Sequence, residues 1–190
     1  MKIAIFGGSF NPIHKGHIAL ATHVLEQQWV DEVWLNVSPQ NPLKPQRGLL
    51  PEQLRLHLAR EAVKDIERIK VSDVEFHLPR PSYTWATLRA LTEQYPQHKF
   101  CLLIGGDNWA LFHRWAHYEE ILQRCELLVY PRPGTPIQSS ELPPNVYLIS
   151  APQFPYSSTE VREYLRQGKD VSEMVPACVA QALANYDWED

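Results

Sequence analysis

The sequence predicts an α/β fold: an open, mostly parallel sheet with helices on both faces and a small helical portion toward the C-terminus. Three observations point there. Short apolar runs recur along the chain, and those at 3–6, 100–104 and 127–130 are unbroken, as strands buried on both faces require. Segments with apolar residues at helical spacing alternate with these runs. Glycine or proline clusters mark most of the junctions.

The first strand, 3–6, ends at Gly7-Gly8-Ser9. From 16 to 28, Ile18, Leu20, Ala21, Val24 and Leu25 give a helical pattern, and 33–37 reads as the second strand, so the chain opens with a βαβ unit. Pro39, Pro42 and Pro45 exclude regular structure over 38–48. Pro51 suits the first residue of a helix whose apolar face is Leu54, Leu58, Ala59 and Ala62. A third strand is expected over 69–74 and a helix over 84–95, with Leu88 and Leu91 inward. Strand 99–104 ends at Gly105-Gly106-Asp107. Strands over 127–130 and 146–149 follow, with the proline-rich 131–144 as a surface loop between them. Ser157-Ser158-Thr159 is a helix N-cap signal, for a helix over 159–167 that Gly168 ends. A last helix is expected over 176–185, and the whole chain, 1–190, reads as a single domain.

Acidic residues number 22 against 18 basic, a net charge of −4, so no nucleic-acid partner is expected. No apolar run reaches membrane-spanning length, and the run after Met1 is too short for a secretory signal; a cytoplasmic location without a membrane partner is expected. Cys101, Cys125 and Cys178 form no CxxC pair and are expected as free thiols. Trp29, Trp34 and Trp188 fit either a core or an interface, so a homo-oligomer stays open.

In an open parallel sheet, ligands bind beyond the carboxyl ends of the strands. The segment there after strand one is Gly7-Gly8-Ser9-Phe10-Asn11-Pro12-Ile13-His14-Lys15-Gly16-His17. Its glycines let backbone approach a ligand closely, and it leads into a helix start, where N–H groups favour phosphate. His14 and His17, three apart, can share one side and donate to charge that grows during phosphoryl transfer. Gly16 between them is read as room for a nucleotide. The pattern GxxxxGK[ST] is absent, and so is HExxH; no metal site is expected. Far along the chain, Ser157, Ser158 and Thr159 offer further donors to phosphate, with Arg162 one turn on.

GGSFNPIHKGH resembles the signature of the HxGH-motif nucleotidyltransferase superfamily. Its Phe10-Asn11-Pro12 form is similar to that of the nicotinate mononucleotide adenylyltransferases. The run from Ser157 to Arg162 resembles their SSTxxR motif, with Tyr156 where isoleucine is common. Asn41-Pro42-Leu43-Lys44 resembles their PxK element without its second proline and histidine. Ser82-Tyr83-Thr84 resembles an SYT element, Gly105-Gly106-Asp107 with Trp115 a GxD…W element, and Arg132 lies near an RPG element.

The resemblance implies a Rossmann-like fold and transfer of AMP from ATP to nicotinate mononucleotide (NaMN), giving nicotinate adenine dinucleotide and pyrophosphate on the way to NAD. It implies His14, His17, Lys44 and Arg162 at the reacting phosphates. It puts Gly7, Gly8, Ser9, Phe10, Gly105, Asp107, Arg132, Ser157, Ser158 and Thr159 around ATP, and Asn11, Ser82, Tyr83, Thr84 and Trp115, with Lys44 and Asp107, at the acceptor. Mg²⁺ is expected to arrive on ATP, and no covalent enzyme intermediate is needed, because phosphate is already a nucleophile. Other readings stand beside these. Lys44 fits a solvated loop, Thr84 a helix cap and Trp115 a core position. The acceptor could be nicotinamide mononucleotide or phosphopantetheine, and a nucleotide-binding regulator without turnover is the alternative to an enzyme.

Overall fold

The computed structural model describes residues 1–40, 48–135, 137–138 and 142–188. Its strands are β1 (Lys2–Gly8), β2 (Glu32–Val37), β3 (Ile69–Ser72), β4 (Lys99–Gly105), β5 (Glu126–Tyr130) and β6 (Val146–Leu148). They form one sheet in the order β3-β2-β1-β4-β5-β6, and all neighbouring pairs are parallel. This is the doubly wound Rossmann order, with its reversal between β1 and β4. Ile3, Ala4, Ile5 and Phe6 are 5% exposed or less. Successive strand side chains face opposite ways, so both faces of the sheet are covered.

The helices are α1 (Lys15–Glu26), α2 (Glu52–Val63), α3 (Thr84–Gln94), α4 (Gly106–Ala110), α5 (Tyr118–Arg124), α6 (Ser158–Arg166) and α7 (Ala177–Leu183). The expected third strand stops at Ser72, because Val74–His77 turns into a 3-10 helix. That turn carries Glu75 inward. The two short helices α4 and α5 fill a stretch with no clear periodicity in the sequence. Pro51 caps α2 rather than opening it, and α6 begins one residue before its expected start, with Ser157 as the cap. Gly168 follows α6 at φ 65°, a left-handed position that suits glycine.

Trp34 lies in the core, while Trp29 and Trp188 pack against its edge. Cys101, Cys125 and Cys178 are free thiols, and burial pushes Cys101 up to about 12, which makes it an inert core side chain. Among the described residues, no helix is long and apolar enough to cross a membrane.

Candidate active site

The loop after β1 leaves the sheet where the strand order reverses, the point at which such sheets open a crevice. A side chain on Gly7 would meet nothing within 4 Å, so its backbone borders open space. Phe10 holds φ 44°, unusual for a residue with a bulky side chain, and its buried ring packs on Phe6 and His17. The loop is fastened by Arg55, which is 1% exposed on α2. Arg55 Nη1 donates to the carbonyls of Ser9 (2.6 Å) and Ser38 (2.7 Å), Nη2 to Pro39 (2.8 Å) and Nε to Leu50 (3.0 Å). One guanidinium therefore ties together the segments that leave β1 and β2. Asn11 adds a second tie: its Nδ2 donates to the Gly48 carbonyl (2.9 Å) and its Oδ1 accepts from the Leu50 amide (2.9 Å). The sequence reading puts Asn11 at the acceptor; in the structure both ends of its amide are engaged in holding the loop.

The two histidines stack at the start of α1, with ring centroids 3.6 Å apart and planes at 22°. His14 is the N-cap, and its backbone amide donates to His17 Nδ1 (3.1 Å). An accepting Nδ1 leaves the neutral His17 ring with its proton on Nε2. Burial, with Arg132 nearby, lowers the His14 pKa to about 4. His14 is thus a neutral ring at neutral pH, and its Nδ1 is buried with no partner among the described residues. A Cβ on Gly16 would come within 3.0 Å of the His14 ring and 3.2 Å of Phe154, so glycine lets these rings pack at the head of α1.

A stability prediction follows from the neutral His14. Between pH 6.5 and about 4 the unfolded chain binds a proton at this position that the folded chain does not. Its contribution is fully present above pH 6.5 and is lost as pH falls through the window, roughly 3 kcal/mol in all. Urea unfolding of wild type and His14→Gln across this range measures it, and equal pH slopes would refute it.

The second signature closes the other side of the cleft. Arg162 Nη1 donates to the Asn11 carbonyl (2.8 Å) and Ser158 Oγ to the Pro12 carbonyl (3.0 Å), which stitch α6 to the β1 loop. Ser157 and Glu160 form a capping box. The Ser157 and Ser158 hydroxyls are thus engaged within the protein. With the Glu160 amide taken by Ser157 Oγ, the Ser158 and Thr159 amides at the start of α6 and the Arg162 Nε, which is buried without a partner among the described residues, are the donors left for a ligand. Thr159 Oγ1 accepts from Arg162 Nη2 (3.3 Å).

These groups line a cleft of about 440 Å³. Gly7, Gly8, Ser9, Phe10, His14, His17, Gly105, Asp107, Arg132, Ser157, Ser158, Thr159 and Arg162 all reach it, so every residue expected around ATP is brought together. Asp107 is the only carboxylate on the cleft among the described residues and stands 3.7 Å from Arg132. Lys44 lies outside the described residues.

A second, narrower pocket of about 140 Å³ adjoins the cleft and shares Gly7, Gly8, Ile104 and Asn108 with it. Ser82, Tyr83, Thr84 and Trp115, four of the residues expected at the acceptor, line it together. Tyr83, not Thr84, caps α3. Sequence reasoning missed Asn36, Glu75, Thr87 and Arg114, which also line this pocket, and Arg55 behind the loop. Asn36 and Arg55 left a signal, a polar residue inside an apolar strand and a cation on an apolar helix face. Glu75 left none.

The chain matches the cytidylyltransferase-like family model over residues 5–164. It is 52% identical over 187 residues to a "probable nicotinate-nucleotide adenylyltransferase" of Bacteroides fragilis, covering 98% of this chain and 93% of that one. It is 47% identical over 186 residues to a protein of the same name in Bacteroides thetaiotaomicron, covering 98% and 92%. Its fold superposes with a TM-score of 0.81 on Plasmodium falciparum nicotinic acid mononucleotide adenylyltransferase complexed with NaAD, at 22% identity and covering 99% and 98% of the two chains. With the double-histidine loop, the α6 signature and this sheet order in one chain, the conclusion is that it belongs to the cytidylyltransferase-like family and, within it, to the nicotinate-nucleotide adenylyltransferases.

Proposed function

We propose that this protein transfers AMP from ATP to NaMN, releasing pyrophosphate and forming nicotinate adenine dinucleotide. The observation that carries this is the pair of pockets meeting at Gly7 and Gly8. One is a broad polar cleft with two arginines and two histidines; the other is a narrow pocket with an aromatic wall. A triphosphate in the first and a pyridine nucleotide in the second would meet over the end of β1.

A phosphate oxygen of NaMN attacks the ATP α-phosphorus, a new P–O bond forms, and the bond to the β-phosphate oxygen breaks. The nucleophile needs no activation, so catalysis rests on position and on stabilising charge. His17 donates from Nε2 to the α-phosphate, and His14 backs it. Arg162 Nε and the first-turn amides of α6 hold the β- and γ-phosphates as they leave. Lys44 is assigned to the reacting phosphates on the strength of its motif. Mg²⁺ would enter as part of the Mg·ATP substrate, held by the phosphates, and Asp107, which lines the cleft, would accept from its waters. Trp115 takes the pyridine ring, and Arg114, exposed on the rim of the same pocket, offers a cation to the acid rather than the amide. A cytoplasmic location fits the free thiols.

The test is pyrophosphate release from Mg·ATP with NaMN, nicotinamide mononucleotide or phosphopantetheine as acceptor. Release with NaMN far above the others is the expected result. Release with another acceptor would move the substrate, and ATP binding without release from any would favour a regulator.

A further inference from the structure

Glu75 is 8% exposed, lines the narrow pocket, and collects three side-chain donors. Its Oε1 accepts from Asn36 Nδ2 (2.7 Å) and Thr87 Oγ1 (3.0 Å), and its Oε2 from Ser82 Oγ (2.7 Å). These partners come from β2, from α3 and from the segment just before α3, so one carboxylate joins three walls of the pocket. It also sets a polarity. A carboxylate only accepts, so Asn36 must turn its NH₂ toward Glu75 and its Oδ1 the other way. That Oδ1 is buried, on a residue 1% exposed, and has no partner among the described residues. Trp115 lines the same pocket, so its wall carries two groups of negative character and an electron-rich ring, while its cation, Arg114, is the exposed group already assigned to the carboxylate.

The pyridine ring of NaMN is N-glycosylated and therefore a cation. We infer that Glu75 is a positioning and specificity-determining residue that makes this pocket select a cationic pyridinium over a neutral ring of the same shape. It acts by its own carboxylate and by holding Asn36 with Oδ1 outward. The inference rests on the reading of this pocket as the NaMN site. It goes beyond that reading, because stacking on Trp115 and recognition of the carboxylate do not require a charged ring.

The test compares NaMN with its 1,4-dihydropyridine form, which keeps the carboxylate, ribose and phosphate but has a neutral ring. Dissociation constants for both are measured on wild type and on Glu75→Gln, together with KM for ATP and the melting temperature. Wild type should bind the cationic form about tenfold tighter or more. Glu75→Gln should raise KM for NaMN and shrink the preference several-fold, with KM for ATP unchanged. Equal binding of the two forms by wild type overturns the inference, and this arm needs no variant to fold. A variant that weakens both forms equally also overturns it, since Glu75 would then be a strut only. Wild type that neither binds nor turns over NaMN removes the reading of the pocket itself, a result distinct from turnover with no preference.

Discussion

His17→Ala is expected to lower kcat/KM for pyrophosphate release by about 10²–10³, the effect of deleting one donor aimed at charge that develops in a transition state, about 2.7–4 kcal/mol. The prediction rests on the tautomer. The His14 amide donates to His17 Nδ1, so the neutral ring keeps its proton on Nε2 and has a donor already oriented before substrate arrives. The loss should fall on kcat more than on KM for either substrate, because the donor matters most once negative charge has grown at the α-phosphate. The fold should survive. His17 is half-buried at the head of α1, and the variant loses an acceptor for one backbone amide, a cost of about 1 kcal/mol. Steady-state kinetics with both substrates varied, beside a thermal melt, separate the two effects. A variant within about twofold of wild type would remove His17 from the reaction.

The largest stability effect is expected at Arg55. Arg55→Met should cost about 2–4 kcal/mol in urea unfolding, because four carbonyls lose the guanidinium and are left to find water in a buried place. Relief of the desolvated charge offsets part of the loss, since burial already lowers the Arg55 pKa. Activity should fall beyond what stability explains, because Ser9 and Ser38 are held by the same nitrogen. Arg55→Lys should recover little of either. An ammonium has three donors around one atom and cannot span carbonyls that approach a planar fork from several sides. A loss below about 1 kcal/mol for Arg55→Met would mean that the loop is held by other contacts.

Both predictions concern residues that differ in how openly the sequence announces them. His14 and His17 stand in a dense local motif, and Ser157 to Arg162 in another, so local spacing was enough to single them out. Arg55 looks like one cation in a helix, and Glu75 like one acid in a short loop; nothing within a few residues of either states what it will touch. Asn11 shows the converse. Its motif is plain and it lines the cleft, yet both ends of its side-chain amide are engaged by Gly48 and Leu50, which the motif does not state. Gly16 stands in the motif too, but its close approach to the His14 ring and to Phe154, far along the chain, is visible only in the structure.

The sequence by itself determined the strands, the long helices and the two signature motifs, because apolar period, caps and turn residues act over a few positions and can be read there. Only the tertiary structure decided which segments meet. Arg162 reaches the Asn11 carbonyl across 151 positions, Ser158 reaches Pro12 across 146, and Asn36 reaches Glu75 across 39. Those pairings depend on the order in which the strands assemble and on which loop ends share one edge of the sheet. That order is set by the packing of the whole core, and no local pattern carries it.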